Sequence, residues 1–160
     1  MRIISMFSSA WGAPVLLVLA TGICAGQAQN LSGNWHLNVE KSHWSSATKP
    51  VSVVLVIDHH EPQLKYTGTV TYANEDERSF GFDGAFDGKP YRMSRSFGEG
   101  SITLHRVDAW TVESSFRSDD GQFTETAHTT ISRDGKTLTR KLTARSPGGN
   151  TSWTEIYEKR

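Results

Sequence analysis

The sequence predicts an all-β domain, an antiparallel up-and-down meander closed into a barrel of about 8 to 10 strands, set behind an N-terminal signal peptide. Three observations carry this. From residue 33 onward, short segments alternate apolar and polar residues, with glycine- and aspartate-rich turns roughly every 8 to 12 residues. One face of nearly every segment is apolar and the other is Thr, Ser and charge, the period-two signature of a half-buried strand. No stretch between them shows a helical period of apolar residues.

The chain opens with a positive charge at Arg2, an apolar run centred on "APVLLVLATGI" (13–23) and the small-residue segment "CAGQAQN". That order is the pattern of a secretory signal, with Gly26 and Ala28 as the small pair and cleavage after Ala28. A membrane anchor is the competing reading, but the run falls short of the roughly 20 residues needed to span hydrocarbon, and Pro14 and Gly22 interrupt it. Lipid attachment at Cys24 is disfavoured by the branched Ile23 before it. Cleavage leaves 29–160 as one domain, exported to the periplasm or secreted, with no membrane span. The single cysteine leaves with the signal, so stability must come from burial and hydrogen bonding rather than disulfides. The remainder holds 16 Lys plus Arg against 17 Asp plus Glu, and such a balanced surface gives no footprint for nucleic acid or anionic membrane.

The strands follow in order. The first, 33–39, opens "GNWHLNV"; the second, 51–59, contains "VSVVLVI", the one segment apolar on both sides. Its outer face is expected either to be covered by another element, the commoner case, or to form a dimer contact. The third, 63–72, sets Leu64, Tyr66, Gly68, Val70 and Tyr72 against Lys65 and three threonines. Phe80 and Phe82 share a face of the fourth, 77–83. On the fifth, 90–97, Tyr91, Met93, Arg95 and Phe97 align; on the sixth, 101–107, Ile102, Leu104 and Arg106. The seventh, 110–117, offers Trp110, Val112, Ser114 and Phe116, and the eighth, 122–132, Phe123, Glu125, Ala127, Thr129 and Ile131. Leu138, Arg140, Leu142 and Ala144 form one face of the ninth, 136–145, and Trp153, Glu155 and Tyr157 of the tenth, 151–158. Turns such as "DGK" at 87–89 and 134–136, "GEG" at 98–100 and "PGGN" at 147–150 supply positive φ and local hydrogen bonds, so hairpins should join the strands. A meander of this length has two long edges, and closing it removes both. Closure at this strand number leaves room for a cavity.

Two ends of the chain resemble a known superfamily, the calycins, which comprise lipocalins and fatty-acid-binding proteins. "SGNWHL" resembles the glycine, any residue, tryptophan signature of their first strand. The resemblance implies that Trp35 plugs the closed end of a calycin-like barrel while Gly33 lets the backbone pass close by. "SRDGKTLT" (132–139) and "WTEIYEK" (153–159) are similar to the last hairpins of the fatty-acid-binding branch, and "SGNWHLNVEKS" resembles the start of small exported lipocalin-like proteins of soil bacteria. Two departures stand out. The connection "KSHWSSATKP" (41–50) is too short for the helical lid of fatty-acid-binding proteins, and where their last strand places an arginine two residues before the tyrosine, this chain has Glu155 before Tyr157.

The ligand-binding candidates are the inward parity set: Tyr66, Tyr72, Phe80, Phe82, Tyr91, Met93, Arg95, Leu104, Arg106, Val112, Phe116, Glu125, Arg140, Glu155 and Tyr157. Five of these are charged, and a buried charge must be paired, wet or matched by a ligand. Either the arginines hold an anionic group beneath an aromatic cover, or the charges neutralise one another or reach water at strand ends; Glu155 favours neutralisation. The histidines read as solvated: His59 and His60 are adjacent and face opposite ways, His36, His105 and His128 fall on outer faces, His43 lies in a loop, and no spacing matches a zinc site. No metal or cofactor is expected. Serine elbow and thiol nucleophile are absent from 29–160, the acidic run Glu75, Asp76, Glu77 reads as a solvated turn, and Glu125 with Glu155 is the one candidate acid–base pair. Three functions follow: an exported binding protein for a small apolar or amphipathic molecule, monomeric or weakly dimeric; an interaction module of the cell envelope with a filled barrel; and an enzyme using the same cavity.

Overall fold

The computed structural model describes residues 28–45, 48–74, 76–96 and 98–160. The leader expected over 1–28, apart from its last residue, lies outside them, as do Glu75 and Phe97. The strands are β1 (Gly33–Leu37), β2 (His43–Trp44), β3 (Ser52–His60), β4 (Gln63–Thr71), β5 (Glu77–Ala85), β6 (Tyr91–Arg95), β7 (Gly100–Arg106), β8 (Thr111–Ser118), β9 (Thr124–Ile131), β10 (Thr137–Ser146) and β11 (Gly149–Lys159). Successive strands from β3 to β11 pair antiparallel, and β1 pairs with both β3 and β11. The sheet thereby closes into a ten-stranded up-and-down barrel, with β2 as a short extra rung on β11.

The first strand is broken where an uninterrupted one over 33–39 was expected. After Leu37 one backbone bond remains, from the Asn38 N–H to the Ile156 carbonyl at 2.8 Å, and Ser42 bridges the gap beyond it: its hydroxyl donates to the Asn38 carbonyl at 2.7 Å and accepts from the Ile156 N–H at 3.0 Å. One buried side chain thus replaces a ladder rung, and the chain rejoins β11 at Trp44, opposite Trp153.

Alternation places the core. Val53, Leu55 and Ile57 of β3, Leu64 and Tyr66 of β4, and Leu138 and Tyr157 of β10 and β11 are buried, each such side chain contributing about 1.5–3 kcal/mol. The outer face of β3 is not covered: Val56 is 49% exposed and Val54 half-buried, flanked by Asn34 and His36 of β1 and Thr67 and Thr69 of β4. This corrects the expectation of a covering element, since no described segment packs there. Gly68 is an interior position where size matters, because a Cβ on it would lie 2.2 Å from the Phe80 ring.

One end of the barrel is strapped shut. Residues 28–32 cross it: Gln29 N–H donates to the Ala109 carbonyl at 2.8 Å, and Leu31 N–H donates to His59 Nδ1 at 3.1 Å. Beneath the strap Trp35 is fully buried, its Nε1–H donating to the Leu31 carbonyl at 2.9 Å. The Lys159 ammonium stands 5.4 Å from the centre of the Trp35 rings, and Gly33 has φ +140°, a conformation that side-chain-bearing residues rarely adopt.

Candidate functional site

Inside the barrel lies a cavity of about 610 Å³, within the range of small-molecule sites. Its floor is apolar, with Leu31 of the strap, Ile57, Leu64 and Leu138; its far end is formed by the 48–50 and 72–74 segments, Asp76 and Arg78 with Trp44 and Phe123. Thirteen expected residues line it: Tyr66, Tyr72, Phe80, Phe82, Met93, Arg95, Leu104, Val112, Phe116, Glu125, Arg140, Glu155 and Tyr157.

Two expected residues lie elsewhere. Arg106, at the last position of β7, turns out at the strapped end, where Nη2 meets Glu61 Oε2 at 2.8 Å, Nε meets Glu61 Oε1 at 3.2 Å, and the guanidinium lies 4.4 Å from the centre of the Phe86 ring. Tyr91, at the first position of β6, packs its ring over Gly84 and donates its hydroxyl to Asp87 at 3.0 Å. Both are strand termini, where a side chain of inward parity can pass over the rim instead of into the barrel. His59 is a further correction: it is 2% exposed rather than solvated. Because its Nδ1 accepts from Leu31, its Nε2–H donates to Glu61 at 2.8 Å. Partial burial pushes the Glu61 carboxyl up, but the bonds from Arg106 and His59 outweigh it and hold it below the ordinary carboxylate value.

The middle of the cavity carries a polar layer. Arg140 Nη1 donates to Glu155 Oε2 at 3.1 Å, and the same carboxylate accepts from the Tyr157 hydroxyl at 2.8 Å and from Trp153 Nε1–H at 2.9 Å. Across the barrel Arg95 Nη2 meets Glu125 Oε1 at 3.3 Å, its guanidinium 3.7 Å from the centre of the Phe116 ring. These four charged side chains are 7–18% exposed, so pairing decides their energetics. Burial pulls the Arg95 guanidinium below its ordinary value. For Arg140 burial acts the same way, but the surrounding Tyr66, Glu155, Tyr157 and Glu125 outweigh it and the net shift is upward. Burial pushes Tyr157 well up and Tyr66 up to about 12. With Glu125 and Glu155 each held by its own arginine, the geometry supports mutual neutralisation over a shared-proton pair.

The Tyr66 hydroxyl and Trp44 Nε1, on residues that line the cavity, are shielded from water and have no hydrogen-bond partner among the described residues. The Tyr66 ring stacks at 5.7 Å on Phe80 and 5.4 Å on Phe82, and the Trp44 ring at 6.5 Å on Trp153. Among the described residues no three His, Cys, Asp or Glu side chains come together in a metal-holding arrangement. Leu31, Trp44, the 48–50 segment, Ala73, Asn74, Asp76 and Arg78 also line the cavity without having been expected, Asp76 from a turn read as solvated; a lone tryptophan in a polar connection was the one signal available for Trp44.

No family model matches the chain, and no curated protein matches it. Among solved structures, zebrafish ileal bile acid-binding protein, crystallised with cholic acid, is similar over 81% of this chain and 98% of its own, at 15% identity and a TM-score of 0.49. What makes this barrel calycin-like is its own topology, ten up-and-down strands closed between β1 and β11.

Proposed function

We propose that the chain is an exported carrier or sequestering protein that holds an apolar or amphipathic small molecule inside the barrel. The observation that carries this reading is the cavity of about 610 Å³, aromatic on its walls and strapped at one end. A barrel serving only as a scaffold gains stability by filling such a space, whereas one that binds must leave it. A ligand entering here removes its apolar surface from water at about 25 cal/mol per Å², against rings already held by their neighbours, so little ordering entropy is lost.

The exposed Val51 and Val56, 54% and 49% accessible, support the second reading, an interaction module, but they form a narrow strip between polar strands. Native mass spectrometry of residues 29–160, purified gently from its own host and followed by organic extraction, tests the proposal. A discrete extra mass supports a carrier and identifies its cargo class. A clean apo mass, with no binding of an apolar reporter dye, shifts the reading to the interaction module.

A further inference from the structure

Resting on the carrier reading, we infer that the cavity selects an uncharged, ring-bearing molecule that presents hydrogen-bond acceptors, such as a ketone or quinone, and rejects a carboxylate of the same shape. The first ground is charge balance. In the middle layer of the cavity Arg95 and Arg140 are matched by Glu125 and Glu155, and all four side chains are largely shielded from water; the other charges of the lining, Arg78 paired with Asp76 and the exposed Lys49, stand at the far end. A carboxylate that enters the middle layer makes three anions against two cations there and must prise a glutamate from its arginine to find a partner at that depth. An ammonium creates the opposite excess. A neutral molecule leaves both pairs as they stand.

The second ground is the pair of atoms left over. An indole N–H can only donate, so Trp44 Nε1, buried and without a partner among the described residues, can be satisfied only by an acceptor. Tyr66 is 9% exposed, and its hydroxyl feels Arg140, Glu155, Glu125 and Arg95 without bonding any of them. Both orphans belong to rings stacked on an aromatic neighbour, so their positions are fixed before a ligand arrives. Preset donors on flat apolar walls are complementary to an oxygen on a flat apolar body.

Three isosteric probes test this: acetylnaphthalene, isopropenylnaphthalene and naphthoate, each titrated by quenching of tryptophan fluorescence. The ketone is expected to bind at least about 5-fold more tightly than the hydrocarbon, the margin of one net hydrogen bond, and the carboxylate to be the weakest. Tyr66→Phe should bring the ketone down toward the hydrocarbon and leave the hydrocarbon unchanged. The same variant should keep or raise the melting temperature, because it deletes an orphaned polar group. Naphthoate binding tightest, or Tyr66→Phe weakening ketone and hydrocarbon equally, overturns the inference. Equal binding of all three probes overturns it too while leaving the carrier reading intact. Binding of none overturns the carrier reading itself.

Discussion

Replacing Glu155 by leucine is the severest test of the polar layer. The carboxylate, 8% exposed in its residue, accepts three hydrogen bonds, from Arg140, Trp153 and Tyr157. Its loss strands a guanidinium that is 14% exposed, and removing one partner of a buried pair costs about 3–5 kcal/mol. Two further donors lose their acceptor at roughly 1–3 kcal/mol each where water cannot reach them. The cavity admits water, so the stranded charge dominates and the expected loss is about 4 kcal/mol, a large share of the roughly 5–15 kcal/mol of a typical domain. Arg140→Leu should cost less, about 1–3 kcal/mol, since Glu155 keeps Trp153 and Tyr157 as donors. The double variant, apolar on both sides, should be more stable than Glu155→Leu alone. Urea unfolding at pH 7, followed by tryptophan fluorescence and far-ultraviolet circular dichroism, reads all three from the midpoint at constant slope. A loss below about 1 kcal/mol for Glu155→Leu, or a larger loss for Arg140→Leu, would refute the assignment of Glu155 as the hub.

Trp35→Ala should destabilise by about 3–5 kcal/mol, the usual cost of deleting a buried large aromatic; a loss under about 1 kcal/mol in the same urea assay would mean that the strapped end does not depend on it. Gly68→Ala places a Cβ 2.2 Å from the Phe80 ring, which lines the cavity, so the ring is expected to yield into that space and weaken binding of an apolar reporter dye. An unchanged affinity would show that the ring moves elsewhere. Glu61 sits below its ordinary value of 4.5 in the fold, so its contribution is present above that value and is lost as pH falls through the folded one. Wild-type melting temperature should therefore drop more steeply below about pH 4.5 than that of Glu61→Gln, with the strap at 28–32 becoming open to protease over the same interval. Parallel curves would remove Glu61 from the strap's anchorage.

All ten long strands are legible in the sequence, with ends within two residues of those observed, because period-two patterning and turn residues are local properties of the chain. The polar layer is legible for the same reason: Arg95, Glu125, Arg140 and Glu155 share parity with buried neighbours. Parity fails at strand ends, at Tyr91, the first residue of β6, and Arg106, the last of β7. His59 shows the opposite error, since the alternation that buries Val53, Leu55 and Ile57 also places residue 59 inside. Its polarity suggested solvent, and the partner that makes burial tolerable, the Leu31 N–H, comes from a segment with no period to read. Trp44 and Ser42 were hidden likewise, because a two-residue rung carries too little pattern to register.

Two buried ion pairs lining a cavity need a reason, because well-packed apolar residues would serve stability as well or better. Emptiness supplies one. An apolar lining of this size, free of its ligand, gains by collapsing inward or by drawing a neighbour's apolar surface into it, whereas charges held in pairs keep water in place and resist both. The pairs also set what can replace that water. On the proposed reading, each glutamate of the middle layer already occupies the arginine that a carboxylate reaching that depth would seek, and discrimination there falls to donors that are neutral and fixed. A single substitution reaches the heart of this argument. Glu155→Gln removes one negative charge while keeping an acceptor for Tyr157 or Trp153, leaving Arg140 as an uncompensated cation. If the closed charge balance is what excludes anions, that variant should gain affinity for naphthoate over acetylnaphthalene, reversing the order of the native barrel.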